Sequence, residues 1–231
     1  LNLATRLHEQ TGLSQLCLAG GVALNCSMNG RLLREGPFSS IFVQPAAGDD
    51  GIAIGAAFQL YHRLTGSPRA FVMRDACLGP SYTDQQIRDA LDLAKISYEE
   101  VLDIPERTAR LIADGKIVGW YQGRMEFGPR ALGARSILAD PTRLDMKDLI
   151  NKYVKHREEF RPFAPSILEE RACEFFEGCR QSPFMLFVYP VRPEKRQQVP
   201  AITHVDGTAR VQTVARDVNP LYYATIEAFE R

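Results

Sequence analysis

Apolar residues recur along the chain at helical and strand periods in turn, and the switches between them lay out the elements. Leu3 and Leu7 share a helical face that Gly12 closes, so residues 1–12 read as the end of a helix. Gln15 to Ala19 is a short apolar run, a buried strand, that stops at Gly20-Gly21, and a helical pattern runs from Val22 to about Arg34. The order repeats with Ile41-Phe42-Val43 as a second strand, Gln44 to Asp50 as a loop and Gly51 to Leu64 as a helix. There Ala53, Ala56, Ala57, Leu60 and Leu64 predict a face of mostly small residues lying close on a sheet. Gly66-Ser67-Pro68 ends the period, and a domain boundary is expected near residue 75, dividing 1–75 from 76–231.

Beyond that boundary, Thr83 and Gln86 have the spacing of a capping box before a helix bearing Ile87, Ala90, Leu91 and Ala94. Pro105 opens a helix carrying Ala109, Leu111 and Ile112 that ends at Gly115, and Ile117 to Tyr121 follows as a buried strand. Leu144, Leu149, Ile150 and Tyr153 predict an amphipathic helix. Ser166 to Leu168, Phe184 to Val191 and Ala209 to Val214 predict strands, with residues 169–177 helical and Arg192 to Pro200 a loop. A turn over His204 to Thr208 leads into the last strand, and Asn219-Pro220 opens a final helix, Leu221 to Glu230. These alternations indicate a mixed α/β (α+β) chain.

Composition narrows the partners. Among 231 residues, 28 basic side chains balance 28 acidic ones, so no global field draws the protein to nucleic acid or an anionic membrane, and an anion site must be local. No apolar stretch approaches the roughly 20 residues needed to cross a bilayer. Five cysteines, an odd number without a Cys-x2-Cys spacing, point to reduced thiols and a cytoplasmic location.

The local chemistry centres on Gly123 to Ser136, where Arg124, Arg130 and Arg135 lie among glycines just past a strand end. Guanidinium forks match phosphate oxygens and glycines let backbone amides approach a ligand, so the run reads as an anion cradle, with a solvated turn as the alternative. The Gly20-Gly21 turn would bring free amides and a helix N-terminus to a sheet edge, where nucleotides bind. Asp49 and Asp50 serve either as an N-cap for the following helix or as hard oxygen ligands for a cation. Lys155 and Arg161 either contact an anion or form a solvated face paired with Glu158 and Glu159. Arg210 projects from the last strand.

These segments together resemble the carbamoyltransferases of the nodulation protein U and antibiotic O-carbamoyltransferase type. The resemblance rests on Gly123 to Ser136 (GRMEFGPRALGARS), Phe160 to Ser166 (FRPFAPS), Val205 to Gln212 (VDGTARVQ), Gly20 to Asn25 (GGVALN) and Pro45 to Gly51 (PAAGDDG). It implies the tail of an actin-like ATPase-fold (ASKHA) domain over residues 1–75, followed by a YrdC-like domain that makes carbamoyl-adenylate from carbamoyl phosphate and ATP. The first domain would then transfer the carbamoyl group to the hydroxyl of a small-molecule acceptor. On this resemblance Arg130, Lys155, Arg161 and Arg210 contact carbamoyl phosphate and ATP, supported by Arg124, Arg135 and Ser136. Gly20, Gly21, Val22 and Asn25 hold the nucleoside, and Asp49 is a ligand of an active-site metal, with Fe(II) and Mg(II) the ions implied.

The chain departs from that pattern. It lacks the family's glycine-rich phosphate loop, its close pair of histidine ligands and its Asn-Thr-Ser-Phe-Asn segment. The expectation is a chain truncated at both ends, without transferase activity in isolation. Two other readings stand beside it: threonylcarbamoyl-adenylate chemistry for tRNA modification, and a nucleotide-binding module without catalysis.

Overall fold

The computed structural model describes residues 1–179 and 181–231. Helix α1 (Asn2–Thr11) ends where Gly12 turns left-handed, φ 67°. Strand β1 (Gln15–Leu18) and β2 (Ser40–Val43) pair in parallel, Leu16 opposite Ile41, on either side of helix α2 (Cys26–Glu35), the crossover that a parallel pair requires. The expected continuous helix from Val22 is interrupted. Gly21–Leu24 forms a 3-10 turn and Asn25 is extended, its side-chain oxygen accepting a 3.0 Å bond from the Met28 amide to cap α2. Asparagine bonds its neighbouring backbone more readily than it continues a helix, which places the start of α2 at Cys26.

Helix α3 (Gly51–Thr65) forms over the expected span but contributes no buried residue. Ala53, Ala56, Ala57 and Leu60 are exposed, and Leu64 retains 75% of its accessible surface, so the face does not pack on the strands as expected. The pattern selects a face of a helix, and a two-stranded ladder is too narrow to cover one. In α1, Leu3 and Leu7 are likewise exposed.

Residues 66–83 contain no helix or strand, and α4 (Asp84–Leu93) then begins with the complete Thr83–Gln86 capping box. Helix α5 (Ile104–Ala113), capped by Asp103, packs against the last helix, α8 (Pro220–Phe229), capped by Asn219. Strand β3 (Val118–Tyr121) pairs antiparallel with β4 (Arg135–Leu138), Trp120 opposite Ser136, so Gln122 to Ala134 is the loop of one long hairpin. The amphipathic helix expected around residues 144–153 shrinks to α6 (Met146–Ile150) and a π turn, Asn151–Lys155. Met146 and Ile150 are its buried anchors, while Leu144 and Tyr153 face solvent.

Strand β5 (Ser166–Leu168) precedes α7 (Ala172–Phe175), and of the strand expected over Phe184 to Val191 only β6 (Val188–Pro190) forms. Phe184 to Phe187 are buried but irregular, with Met185 at φ 54°. The strand expected over 209–214 divides at the fully buried Val211. Strand β7 (Thr208–Arg210) pairs antiparallel with β6, and β8 (Gln212–Val214) pairs in parallel with β5. The result is a mixed α/β fold whose described strands form four two-stranded ladders.

The largest core gathers residues from both sides of position 75. Ala23, Val43 and Ala47 join Ala76, Leu132, Phe176, Leu186 and Val211. A second cluster, Trp120, Leu168, Val214, Tyr222 and Tyr223, lies under α8. Among the described residues no helix is long and apolar enough to cross a membrane.

Candidate functional site

The Gln122–Ala134 loop is held by an anion of its own. Glu126 Oε1 accepts from the amides of Leu132 at 2.7 Å, Ala134 at 2.8 Å and Arg135 at 3.2 Å, and Ser136 Oγ accepts from Gly133 N at 3.0 Å. The backbone amides expected to face a bound phosphate are thus satisfied internally, because a carboxylate in the same segment reaches them without loss of chain entropy to a ligand. The Arg135 guanidinium lies 3.4 Å from the Tyr121 ring centre and donates to the carbonyls of Gln122, Ala134 and Gly123. Arg124 donates to the carbonyls of Gly79 at 2.8 Å and Leu78 at 2.9 Å. In this structure Arg124, Arg135 and Ser136 fasten the hairpin.

Two glycines let the loop close. Gly133, at φ 97°, has the Tyr222 ring where a methyl group would stand. Gly128, at φ 116°, lies against Pro45 and Ala46, so the loop touches the segment after β2. A buried polar chain holds the loop to the sheet: Tyr222 Oη donates to Ser166 Oγ (2.9 Å), which donates to Gln212 Oε1 (2.8 Å), and Gln212 Nε2 donates to the Leu132 carbonyl (2.8 Å). Burial pushes the Tyr222 hydroxyl up to about 12.

Arg130 and Arg210 are placed differently. Each has a buried Nε without a hydrogen-bond partner, and Arg130 Nη2 makes only a long 3.4 Å contact with the Leu24 carbonyl. Among the described residues neither forms an ion pair. Burial, followed by the charge of Arg130, lowers the proton affinity of Arg210; the Cys26 sulfur acts the other way and Arg157 adds to the lowering. Burial also holds His204 below the usual imidazole range, opposed by Asp206 and reinforced by Arg210. Both residues are half-buried, and like charges withdrawn from water without a counterion repel, a cost that an anion beside them offsets.

The residues nominated in the first part of the chain are exposed or engaged by nearby backbone. Gly20, at φ 94°, donates its amide to the Ala47 carbonyl at 2.7 Å, Gly21 is exposed and Val22 is 74% exposed. Asn25 uses its side-chain oxygen as the α2 cap. One turn later Asn29, fully buried, donates to the Ala23 and Leu186 carbonyls at 2.7 and 2.9 Å, leaving its Oδ1 unpartnered. Asp49 is exposed before α3, and Asp50 makes no side-chain capping bond. Among the described residues no group of three or more His, Cys, Asp or Glu could hold a metal ion, so the residues present do not fit the implied metal.

Lys155 and Arg161 are exposed, and Arg161 pairs with Glu158 at 2.8 Å. Between them Arg157 is half-buried. Its Nε donates to Asn151 Oδ1 at 2.7 Å, its guanidinium lies 4.8 Å from the Phe163 ring centre, and its charge reaches Arg210. Glu126, Asn29, Asn151 and Arg157 were not singled out from sequence. The available signal for Glu126 was a lone carboxylate between two arginines in a glycine-rich run, which needs a local partner. Behind the loop a cavity of about 730 Å³ opens between Cys77, Gln122, Arg124, Phe184, Gln212 and Asn219.

Residues 109–231 match the family model described as carbamoyltransferase C-terminus, and residues 1–58 match carbamoyltransferase N-terminus. An uncharacterized protein of Synechocystis, sll1178, is 46% identical over all of this chain and 42% of its own length. Nodulation protein NolNO of Sinorhizobium fredii is 51% identical over 96% of this chain and 34% of its own length. Nodulation protein NolO of Bradyrhizobium diazoefficiens is 51% identical over 97% of this chain and 42% of its own length. The chain thus spans well under half the length of these relatives.

Proposed function

The chain belongs to the carbamoyltransferase family, and from that premise we propose that it serves the formation of carbamoyl-adenylate from carbamoyl phosphate and ATP and the transfer of the carbamoyl group to a small hydroxyl acceptor. In this reading residues 1–75 continue an actin-like ATPase fold and residues 76–231 form a YrdC-like domain. The observation that carries it is the pair Arg130 and Arg210, each with a buried, unpartnered Nε and, among the described residues, no carboxylate partner.

The chemistry asks for such a pair. Hydrolysis of carbamoyl phosphate first releases inorganic phosphate and leaves carbamate; a carbamate oxygen then bonds to the α-phosphorus of ATP as the bond to pyrophosphate breaks, and both reactants are anions. Fixed guanidinium groups offset that charge and hold the reacting atoms in line. The acceptor hydroxyl then bonds to the carbamoyl carbon, loses its proton and displaces AMP. Arg130 and Arg210 act at the centre of this charge, Lys155 and Arg161 at its exposed edge, and the Gly20 to Asn25 turn borders it.

Titration calorimetry with carbamoyl phosphate and with ATP tests the reading. Arg130→Ala and Arg210→Ala are each expected to weaken binding by about 2–5 kcal/mol, the range for truncating a desolvated charge contact. Unchanged affinity in both variants would sink the assignment.

A further inference from the structure

Asn151 is an uncharged residue at the start of a π turn, yet it is buried to 0% exposure and every polar position of its side chain is engaged. Its Nδ2 donates to the carbonyls of Glu159 at 3.2 Å and Arg161 at 2.9 Å, and its Oδ1 accepts from Arg157 Nε at 2.7 Å. Its own carbonyl accepts from the Arg157 amide at 3.1 Å. The cation-rich stretch between the π turn and Phe163 therefore wraps around one carboxamide. His156 takes a left-handed conformation, φ 47°, to turn the chain back over it. Phe163 supplies an aromatic face on which the Arg157 guanidinium lies.

This arrangement does more than close a turn. A guanidinium held at Nε by a buried acceptor and on one face by a ring has few rotamers left, so its remaining donors point in a set direction. The segment returns to the sheet at Pro165, whose carbonyl accepts from the Gln212 amide at 2.9 Å; Phe163, under the guanidinium, stands two residues before one end of that bond and Arg210 two residues before the other, and the Arg157 charge adds there to that of Arg130. A solvated arginine would be free to swing away from two like charges. Arg157 does not.

We infer that Asn151 is a positioning residue of the anion site, and that through it Arg157 is held as a third guanidinium beside Arg130 and Arg210, with the Arg161 backbone fixed in the same register. The inference rests on the anion-site reading proposed above. It assigns the carboxamide a task that local hydrogen bonding alone does not require, namely to set where positive charge stands relative to a phosphorylated ligand.

The test uses the full chain and the variants Asn151→Ala, Asn151→Asp, Arg157→Ala and Arg157→Lys, with Arg130→Ala and Arg210→Ala as controls. Affinity for carbamoyl phosphate and for ATP is measured at two salt concentrations, alongside the melting temperature. The expected result is at least tenfold weaker binding in Asn151→Ala and Arg157→Ala, with a shallower salt dependence in Arg157→Ala because one cation has gone. Arg157→Lys, which keeps the charge, recovers part of the affinity. Asn151→Asp does not, because it loses both donors to the loop carbonyls and neutralises Arg157. If Asn151→Ala and Arg157→Ala melt earlier but bind as the wild type while Arg210→Ala does not bind, Asn151 is structural only and the inference fails with the anion site intact. If Arg130→Ala and Arg210→Ala also bind as the wild type, the site reading and the inference fall together.

Discussion

Helix α3 and the segment from 176 to 211 follow the same local rules of helix and strand formation, with opposite outcomes for burial. Helix α3 is the more apolar in sequence, yet Ile52, Leu60 and Leu64 are 66, 56 and 75% exposed. In the later region Phe176, Val191, Ala209 and Val211 are sealed at 0–2%. The difference lies in what faces each element. Around residues 176–211 irregular buried chain, two short ladders and a hairpin loop interlock, and each apolar side chain meets partners from several segments. Around α3 there is one narrow ladder. Apolar periodicity measures the readiness to be buried, and only tertiary neighbours convert it into stability.

The contrast is sharpest as a pair of substitutions. Phe176→Ala is expected to destabilise the chain by about 3–5 kcal/mol, the range for truncating a fully packed aromatic residue, while Leu64→Ala changes stability by no more than about 0.5 kcal/mol. Urea unfolding measures both, and a large effect at Leu64 would show that α3 is covered in solution and erase the contrast.

A smaller effect probes the loop between the two regions. Glu126→Gln keeps the shape but replaces a carboxylate that accepts three amides, and is expected to cost about 1–3 kcal/mol. Stability equal to wild type would mean that those amides find another acceptor.

The mildest test is chemical. Burial, then Asp75 and Glu126, pushes the Cys77 thiol up to about 11, against Arg124 and Arg135. The raised value favours the folded state fully below the ordinary thiol value of 9.0, and the benefit is lost as pH rises from there to about 11. Iodoacetamide at pH 8.5 should therefore label the exposed Cys17 well before Cys77. Equal rates would place Cys77 outside the folded loop.

What could be read from sequence was what is decided locally. Gly12 as a stop, Thr83 with Gln86 as a capping box and Asn219 before Pro220 each depend on bonds spanning a few residues, and each formed. The mixed α/β character followed from the same signals. Strand β4, the break at Val211 and the shortened β6 depend on pairing between distant segments, which periodicity does not encode. The arginines of the site divide in the same way. By residue type and spacing Arg124, Arg130 and Arg135 are alike, and only the family resemblance set Arg130 apart; nearby carbonyls engage Arg124 and Arg135, while the charge of Arg130 acts on Arg210. Arg157 owes its place to Asn151, six residues earlier, through a turn that no helical pattern predicts.

The hydrogen bond from Gln212 to the Leu132 carbonyl has a consequence for selectivity. Arg130 stands two residues before one end of that bond and Arg210 two residues before the other. The bond is buried and part of a chain that ends at Tyr222, so the spacing of the two backbone segments that carry these arginines is set before any ligand arrives. Under the proposed reading the pair is a caliper whose hinge is set by the fold, and anions are sorted by their span.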